Sequence, residues 1–208
     1  KSLPRLVRWH HRNPTGKRVY LLCASAYAAA DYAGFGLFRG RSYRWGYFPE
    51  CRRYDDPDRL QAEKERRSLL WAGRFLDWKH PDDAVAVVRC LAAEGVDVRL
   101  QLTGTGPMET ALRELTQNEE QITLTGPMRP EQVRRCMERS GVFLFTSDRQ
   151  EGWGAVVNEA MNSGCAVVAG HAAGSVPYLL RDGENWGYAT VDLMCMNLFT
   201  GEADFYKY

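Results

Sequence analysis

The sequence lacks any Cys-x-x-Cys pair, and its six cysteines (Cys23, Cys51, Cys90, Cys136, Cys165 and Cys195) are scattered along 208 residues. That scatter argues against a structural zinc site or a disulfide framework. Several sit in apolar runs, as in Gly164-Cys165-Ala166-Val167-Val168, where a reduced cysteine packs as a small hydrophobe. Apolar runs of bilayer-spanning length are missing too, and no signal peptide is visible. A reducing, cytoplasmic compartment is the expectation. Net charge is also nearly absent, at +1 from 27 basic and 26 acidic residues, so a nucleic-acid partner is not expected.

The charges are unevenly spread, however. Lys1, Arg5, Arg8, Arg12, Lys17 and Arg18 occur with no acidic residue among them. This stretch reads as a solvated or truncated tail, with peripheral contact to an anionic inner membrane face as the alternative. It opens at Lys1, as a piece of a longer protein would. His10-His11 within it is too weak a pair to predict a metal site. With 45% hydrophobic and 25% charged residues, the chain can build one full core without metal or disulfide staples.

From residue 67 onward, strands and helices alternate. Short apolar runs at 68–72, 142–145 and 165–169, alternation at 96–102 and a short segment at 121–125 predict strands. Between them, apolar residues at helical spacing predict helices at 82–93, 107–115, 130–139 and 154–162, two of them opening on Pro107 and Pro130. This alternation implies right-handed crossovers and a parallel sheet covered on both faces. The fold class is α/β, a doubly wound parallel sheet that binds its ligand at the carboxyl ends of the strands. The first fifty residues are less regular. A strand at 18–24 and a helix beginning at 26–31 precede a glycine-broken aromatic cluster of Tyr43, Trp45, Tyr47 and Phe48. They read as the remnant of another lobe plus a linker, dividing the chain into 1–49 and 50–208.

Four loops after strands hold residues suited to an anionic nucleotide. In the first, Gly73 turns the chain out of the sheet, and Arg74 and Lys79 supply two cations of the kind a diphosphate needs. Two ordinary surface cations would look the same. The second, Gly104-Thr105-Gly106, lacks the third glycine of a dinucleotide fingerprint and by itself is a tight turn. The third is Thr125-Gly126-Pro127-Met128-Arg129, whose backbone could read a base edge. The fourth is the most informative: Glu151-Gly152-Trp153-Gly154 leads into a helix that carries Glu159. Its glycines let an anion approach backbone N–H groups at a helix N-terminus. Glu159 suits a ribose, since a carboxylate accepts from two vicinal hydroxyls. A capping acid plus a solvated helix acid is the plain alternative for the two glutamates. Trp153 is equally suited to stacking on a sugar and to packing. His171 reads as a solvated loop histidine.

Taken together, residues 43–185 resemble family 4 of the retaining glycosyltransferases, of the two-lobed GT-B fold. The likeness rests on Gly73-Arg74…Lys79, Gly104-Thr105-Gly106, Thr125-Gly126, Glu151 with Glu159, 158–164 and Gly174-Ser175-Val176-Pro177. It implies that the chain is mainly the C-terminal, Rossmann-like donor-binding lobe. Arg74 and Lys79 would hold the diphosphate, Glu151 would face the transferred sugar, and Glu159 would bind the ribose. Backbone at Met128 or Arg129 would meet the base, and residues 43–49 would connect the lobes. The implied reaction moves a sugar from a nucleoside diphosphate to a carbohydrate or lipid-linked acceptor with retention, without a metal or other cofactor. Catalytic roles then fall to Glu151, Arg74 and Lys79. Donor binding adds Gly73, Met128, Arg129, Gly152, Trp153, Gly154 and Glu159. Two departures stand out: the amino-terminal lobe is nearly absent, and after Asn185 the sequence leaves the family pattern, making 186–208 an atypical tail. Transfer would therefore need the missing lobe as a partner. A nucleotide-sugar epimerase of the same fold and a non-catalytic nucleotide-binding module are the rival readings.

Overall fold

A computed structural model describes residues 18–181, together with Arg5 and Arg8. His10-His11, Cys195 and the 186–208 tail lie outside the described residues. The described chain opens with β1 (Leu21–Cys23), α1 (Ala28–Gly34), β2 (Ser42–Arg44) and α2 (Pro57–Ala62). It continues as β3 (Glu65–Ala72), α3 (Pro81–Ala93), β4 (Arg99–Thr103), α4 (Glu109–Thr116) and β5 (Ile122–Gly126). It closes with α5 (Pro130–Arg139), β6 (Ser140–Phe145), α6 (Ala155–Asn162), β7 (Ala166–Ala169) and α7 (Val176–Leu179).

Five strands form one sheet in the order β5-β4-β3-β6-β7, and every pairing is parallel. The order reverses around β3: the chain steps outward to β4 and β5, then crosses back to β6 beside β3. This is the doubly wound arrangement that the alternating pattern implies. All five strands run the same way, so their carboxyl ends share one edge and the loops after them gather there.

Strand residues alternate between two buried faces. Leu69, Trp71, Leu100, Leu102 and Leu144 pack with Val85, Val88 and Leu91 of α3 and Leu112 of α4. Leu70, Phe143, Phe145 and Val167 face the other way, onto Met137 of α5, Val157 and Ala160 of α6, and Val176 of α7. Each such side chain contributes roughly 1.5–3 kcal/mol on burial.

At the opposite edge of the sheet, the buried Lys64 caps the end of α5. Its ammonium donates to the carbonyls of Met137 and Ser140, both at 2.9 Å. The Cys165 thiol donates to the same Met137 carbonyl at 2.9 Å. Burial pushes the Lys64 ammonium below its ordinary value and the Cys165 thiol up to about 11.

The amino-terminal piece differs in detail from the sequence reading. Residue 43, expected in a linker, pairs within β2, in a two-stranded parallel ladder with β1. Leu22 lies beside Tyr43, and both are more than half exposed. Cys23, on the other face, is buried.

Candidate functional site

Loops 73–80, 104–108, 127–129, 146–154 and 170–175 leave the carboxyl ends of β3, β4, β5, β6 and β7. Backbone hydrogen bonds tie the first three side by side. Gly73 N–H donates to Thr103 O, Gly104 N–H to Gly126 O and Phe75 N–H to Thr105 O, all at 3.0 Å. The glycines of the Gly104-Thr105-Gly106 turn are required by this packing. A Cβ at Gly104 would lie 1.8 Å from Gly73 O, and one at Gly106 would lie 2.5 Å from Phe75 O. Phe75, fully buried, plugs the space beneath. The turn therefore braces the neighbouring loop.

A second tie joins the loop after β3 to the loop after β6. Asp148 N–H donates to Trp78 O at 3.0 Å, and the Thr146 hydroxyl donates to Lys79 O at 2.6 Å. Trp71 Nε1 donates to that same hydroxyl at 2.9 Å, fixing Thr146 from below. Lys79 is thereby set facing the fourth loop, where its ammonium forms an ion pair with Glu151. Its Nζ also stands 4.6 Å from the centre of the Trp78 ring. Beside it, His80 Nε2 lies 3.6 Å from Asp148 Oδ2. Burial alone would raise the Asp148 carboxyl, but hydrogen bonds from Gln150 and the His80 contact hold it below its ordinary value.

Gly154 begins α6 at a positive φ of 81°, and a Cβ there would lie 2.3 Å from Phe145 Cζ. Gly152 is different: it is exposed, and a Cβ would meet nothing within 4 Å. Gly154 is thus demanded by the fold, whereas Gly152 opens space above the loop.

Of the residues singled out in the sequence, the structure brings Lys79 and Glu151 into direct contact. The Arg74 side chain is exposed and makes no hydrogen bond or ion pair among the described residues. Met128 lies against Cys136, with Sγ and Sδ 3.9 Å apart, and Arg129 caps α5 with its N–H on Gln132 Oε1 at 3.0 Å. Glu159 lies on α6 and makes no hydrogen bond or ion pair with Lys79 or Glu151; its carbonyl accepts from the buried Arg134 at 2.9 Å.

Trp153 requires a correction as a sugar platform. Only 4% of it is exposed, its ring abuts Gly46, and Tyr47 and Tyr178 lie 5.9 and 6.1 Å away. Its Nε1 donates to Asn158 at 2.8 Å, so the side chain packs and no face remains for a ligand. His171 also departs from a purely solvated reading, since its Nδ1 lies 3.1 Å from the Tyr27 hydroxyl. Tyr27 in turn lies under Arg149, whose guanidinium stands 4.5 Å over the ring. The turn after β1 thus meets the loops after β6 and β7, as Ala26 N–H on Gly174 O at 2.9 Å also shows. Nothing in the residue pattern pointed to this contact, because it depends on pairs more than a hundred residues apart.

Among the described residues no cluster of three or more His, Cys, Asp or Glu side chains is arranged as metal ligands. No helix among them is long and apolar enough to cross a membrane.

The model of the family "Glycosyl transferases group 1" matches residues 66–194. The gpi3 subunit of phosphatidylinositol N-acetylglucosaminyltransferase from Schizosaccharomyces pombe is 28% identical over 127 residues, covering 60% of this chain and 27% of that protein. A TarM variant of S. aureus, solved with fondaparinux, alpha-GlcNAc-glycerol and UDP, superposes with a TM-score of 0.72 at 16% identity. The match covers 89% of this chain and 38% of that one. Anabaena HepE with UDP-glucose gives 0.69 at 18% identity, covering 89% and 54%. At these identities the structural likeness establishes the fold. The chain spans about a quarter of the length of the gpi3 subunit.

Proposed function

Since the chain belongs to the group 1 glycosyl transferases, we propose that it is the donor-binding lobe of an enzyme that transfers a sugar from a nucleoside diphosphate with retention. The acceptor is a carbohydrate or lipid-linked hydroxyl, presented by the amino-terminal lobe of the two-lobed fold. Carriage of a lipid-linked acceptor would keep the enzyme at the periphery of a membrane, on its cytoplasmic face. One observation supports the reading above all: loops 73–80 and 146–154 are joined by the Asp148 N–H on Trp78 O and the Thr146 hydroxyl on Lys79 O, placing Lys79 against Glu151 at the carboxyl edge of the sheet. UDP in the solved relatives makes a uridine nucleotide the first to test.

In this reading the lobe works by electrostatics. Arg74 and Lys79 meet the diphosphate, and the α6 N-terminus adds partial positive charge near Gly152 and Gly154. As the sugar–phosphate bond breaks, negative charge grows on the leaving diphosphate. These groups stabilise it in the role a metal ion plays elsewhere. Glu151 orients the sugar, Glu159 holds the ribose, and backbone at Met128 and Arg129 meets the base.

Charge-assisted hydrogen bonds contribute roughly 1.5–3 kcal/mol, so Arg74→Ala should weaken UDP binding about ten- to a hundredfold. Uridine, which lacks the phosphates, should be nearly unaffected. Equal losses for UDP and uridine in calorimetry would remove Arg74 from the diphosphate site.

A further inference from the structure

The two side chains assigned to different parts of the donor are bound to each other. Lys79, given to the diphosphate, is ion-paired with Glu151, given to the sugar, and only 17% and 14% of the two side chains remain exposed. Among the described residues, Glu151 is the acid that pairs with Lys79. The nearby Asp148 is engaged by His80 and by the Gln150 N–H at 2.7 Å. The Arg74 guanidinium, by contrast, makes no hydrogen bond or ion pair among the described residues. One of the two cations is therefore ready for an anion, and the other is already neutralised.

We infer that Glu151 sets the preference for sugar-bearing donor over sugar-free product, by exchanging Lys79 for sugar hydroxyls. This rests on the donor-site reading above. A diphosphate that draws Lys79 toward itself leaves the Glu151 carboxylate mostly buried and without its cation, which is unfavourable. Sugar hydroxyls are donors and can replace the ammonium at the carboxylate. A nucleotide sugar therefore satisfies both partners of the broken pair, the phosphates taking Lys79 and the hydroxyls taking Glu151. A nucleoside diphosphate satisfies only Lys79. Once the sugar has moved to the acceptor, the carboxylate loses its hydroxyls and recaptures Lys79, loosening the product. Glu151 thus favours entry of the right ligand and departure of the spent one.

The test is calorimetry on the 208-residue chain with UDP, GDP, ADP and UDP-glucose, for wild type, Glu151→Gln, Lys79→Gln and the double variant. Glu151→Ala serves as a second removal of the carboxylate, and thermal melts confirm folding. Removing the carboxylate frees Lys79, so UDP should bind about fivefold to tenfold more tightly. UDP-glucose should gain less or lose affinity, narrowing the difference between the two ligands. With Lys79→Gln already present, Glu151→Gln should change UDP affinity less than about twofold, the coupling expected of a shared contact. Unchanged or weaker UDP binding in both Glu151 variants overturns the exchange. If Lys79→Gln fails to weaken UDP, the diphosphate assignment itself falls. If none of the three nucleoside diphosphates binds the wild-type chain, both readings fall.

Discussion

Gly152 and Gly154 stand two residues apart in one loop, yet they should respond oppositely to a single added methyl group. At Gly154 the backbone φ is 81°, and a Cβ would lie 2.3 Å from the Cζ of Phe145, a core residue. The left-handed conformation costs an alanine about 1–2 kcal/mol, and forcing the packed ring aside adds about 1–3 kcal/mol. Gly154→Ala should therefore lower the melting temperature by about 5–15 °C in a chain of this size. At Gly152 the methyl enters open space, so Gly152→Ala should stay within about 0.5 kcal/mol of wild type. If that space is where the diphosphate approaches the backbone, UDP affinity should nonetheless fall about tenfold. Thermal melts and UDP calorimetry on the two variants separate the effects. Unchanged stability together with unchanged UDP affinity in Gly152→Ala would refute the loop as an anion site.

Trp153→Phe removes the hydrogen bond to Asn158 and part of a packed ring, and should cost about 1–3 kcal/mol of stability. Affinity for UDP-glucose should hold; a loss confined to the sugar nucleotide, with none for UDP, would restore Trp153 as a sugar platform. Cys165 should resist alkylation at pH 8 while the exposed Cys51 reacts, as peptide mass mapping would read directly. Its thiol sits at about 11 when folded, against an ordinary value of 9.0, so its contribution to stability is fully present below pH 9 and fades as pH rises through 11. The lowered Lys64 ammonium works in the opposite sense up to its ordinary 10.5, so the readout is wild type against Cys165→Ala, whose alkaline stability loss should be shallower.

Strands β6 and β7 were legible because they are buried on both faces and therefore show as apolar runs. The run 142–145 is such a case, with β6 completely buried from Ser140 to Phe145. The beginning of β3 escaped the same rule, since Glu65, Arg66 and Arg67 extend the strand while pointing charge into solvent. Val96 and Val98 misled in the other direction: they pack on the core ahead of β4, which begins only at Arg99. Helix α2 was invisible to periodicity, being six residues with none buried, although Asp56 caps it through the Arg59 N–H at 2.9 Å. At the site, the glycines and the acids could be found by spacing, but the reasons for them could not. Gly104 and Gly154 answer to Gly73 O and the Phe145 ring, partners that only the tertiary fold supplies. The ion pair of Lys79 with Glu151 spans 72 residues and leaves no local pattern in the sequence.

The most direct test of the donor site is an amide chemical-shift map of the ¹⁵N-labelled chain during titration with UDP. The largest shifts should fall in loops 73–80 and 127–129 and in residues 151–159, which run from the loop after β6 into α6, at the carboxyl edge of the sheet. They should weaken sharply when uridine replaces UDP. Shifts concentrated around Lys64, Met137 and Cys165 at the opposite edge, or equal shifts from uridine and UDP, would contradict it.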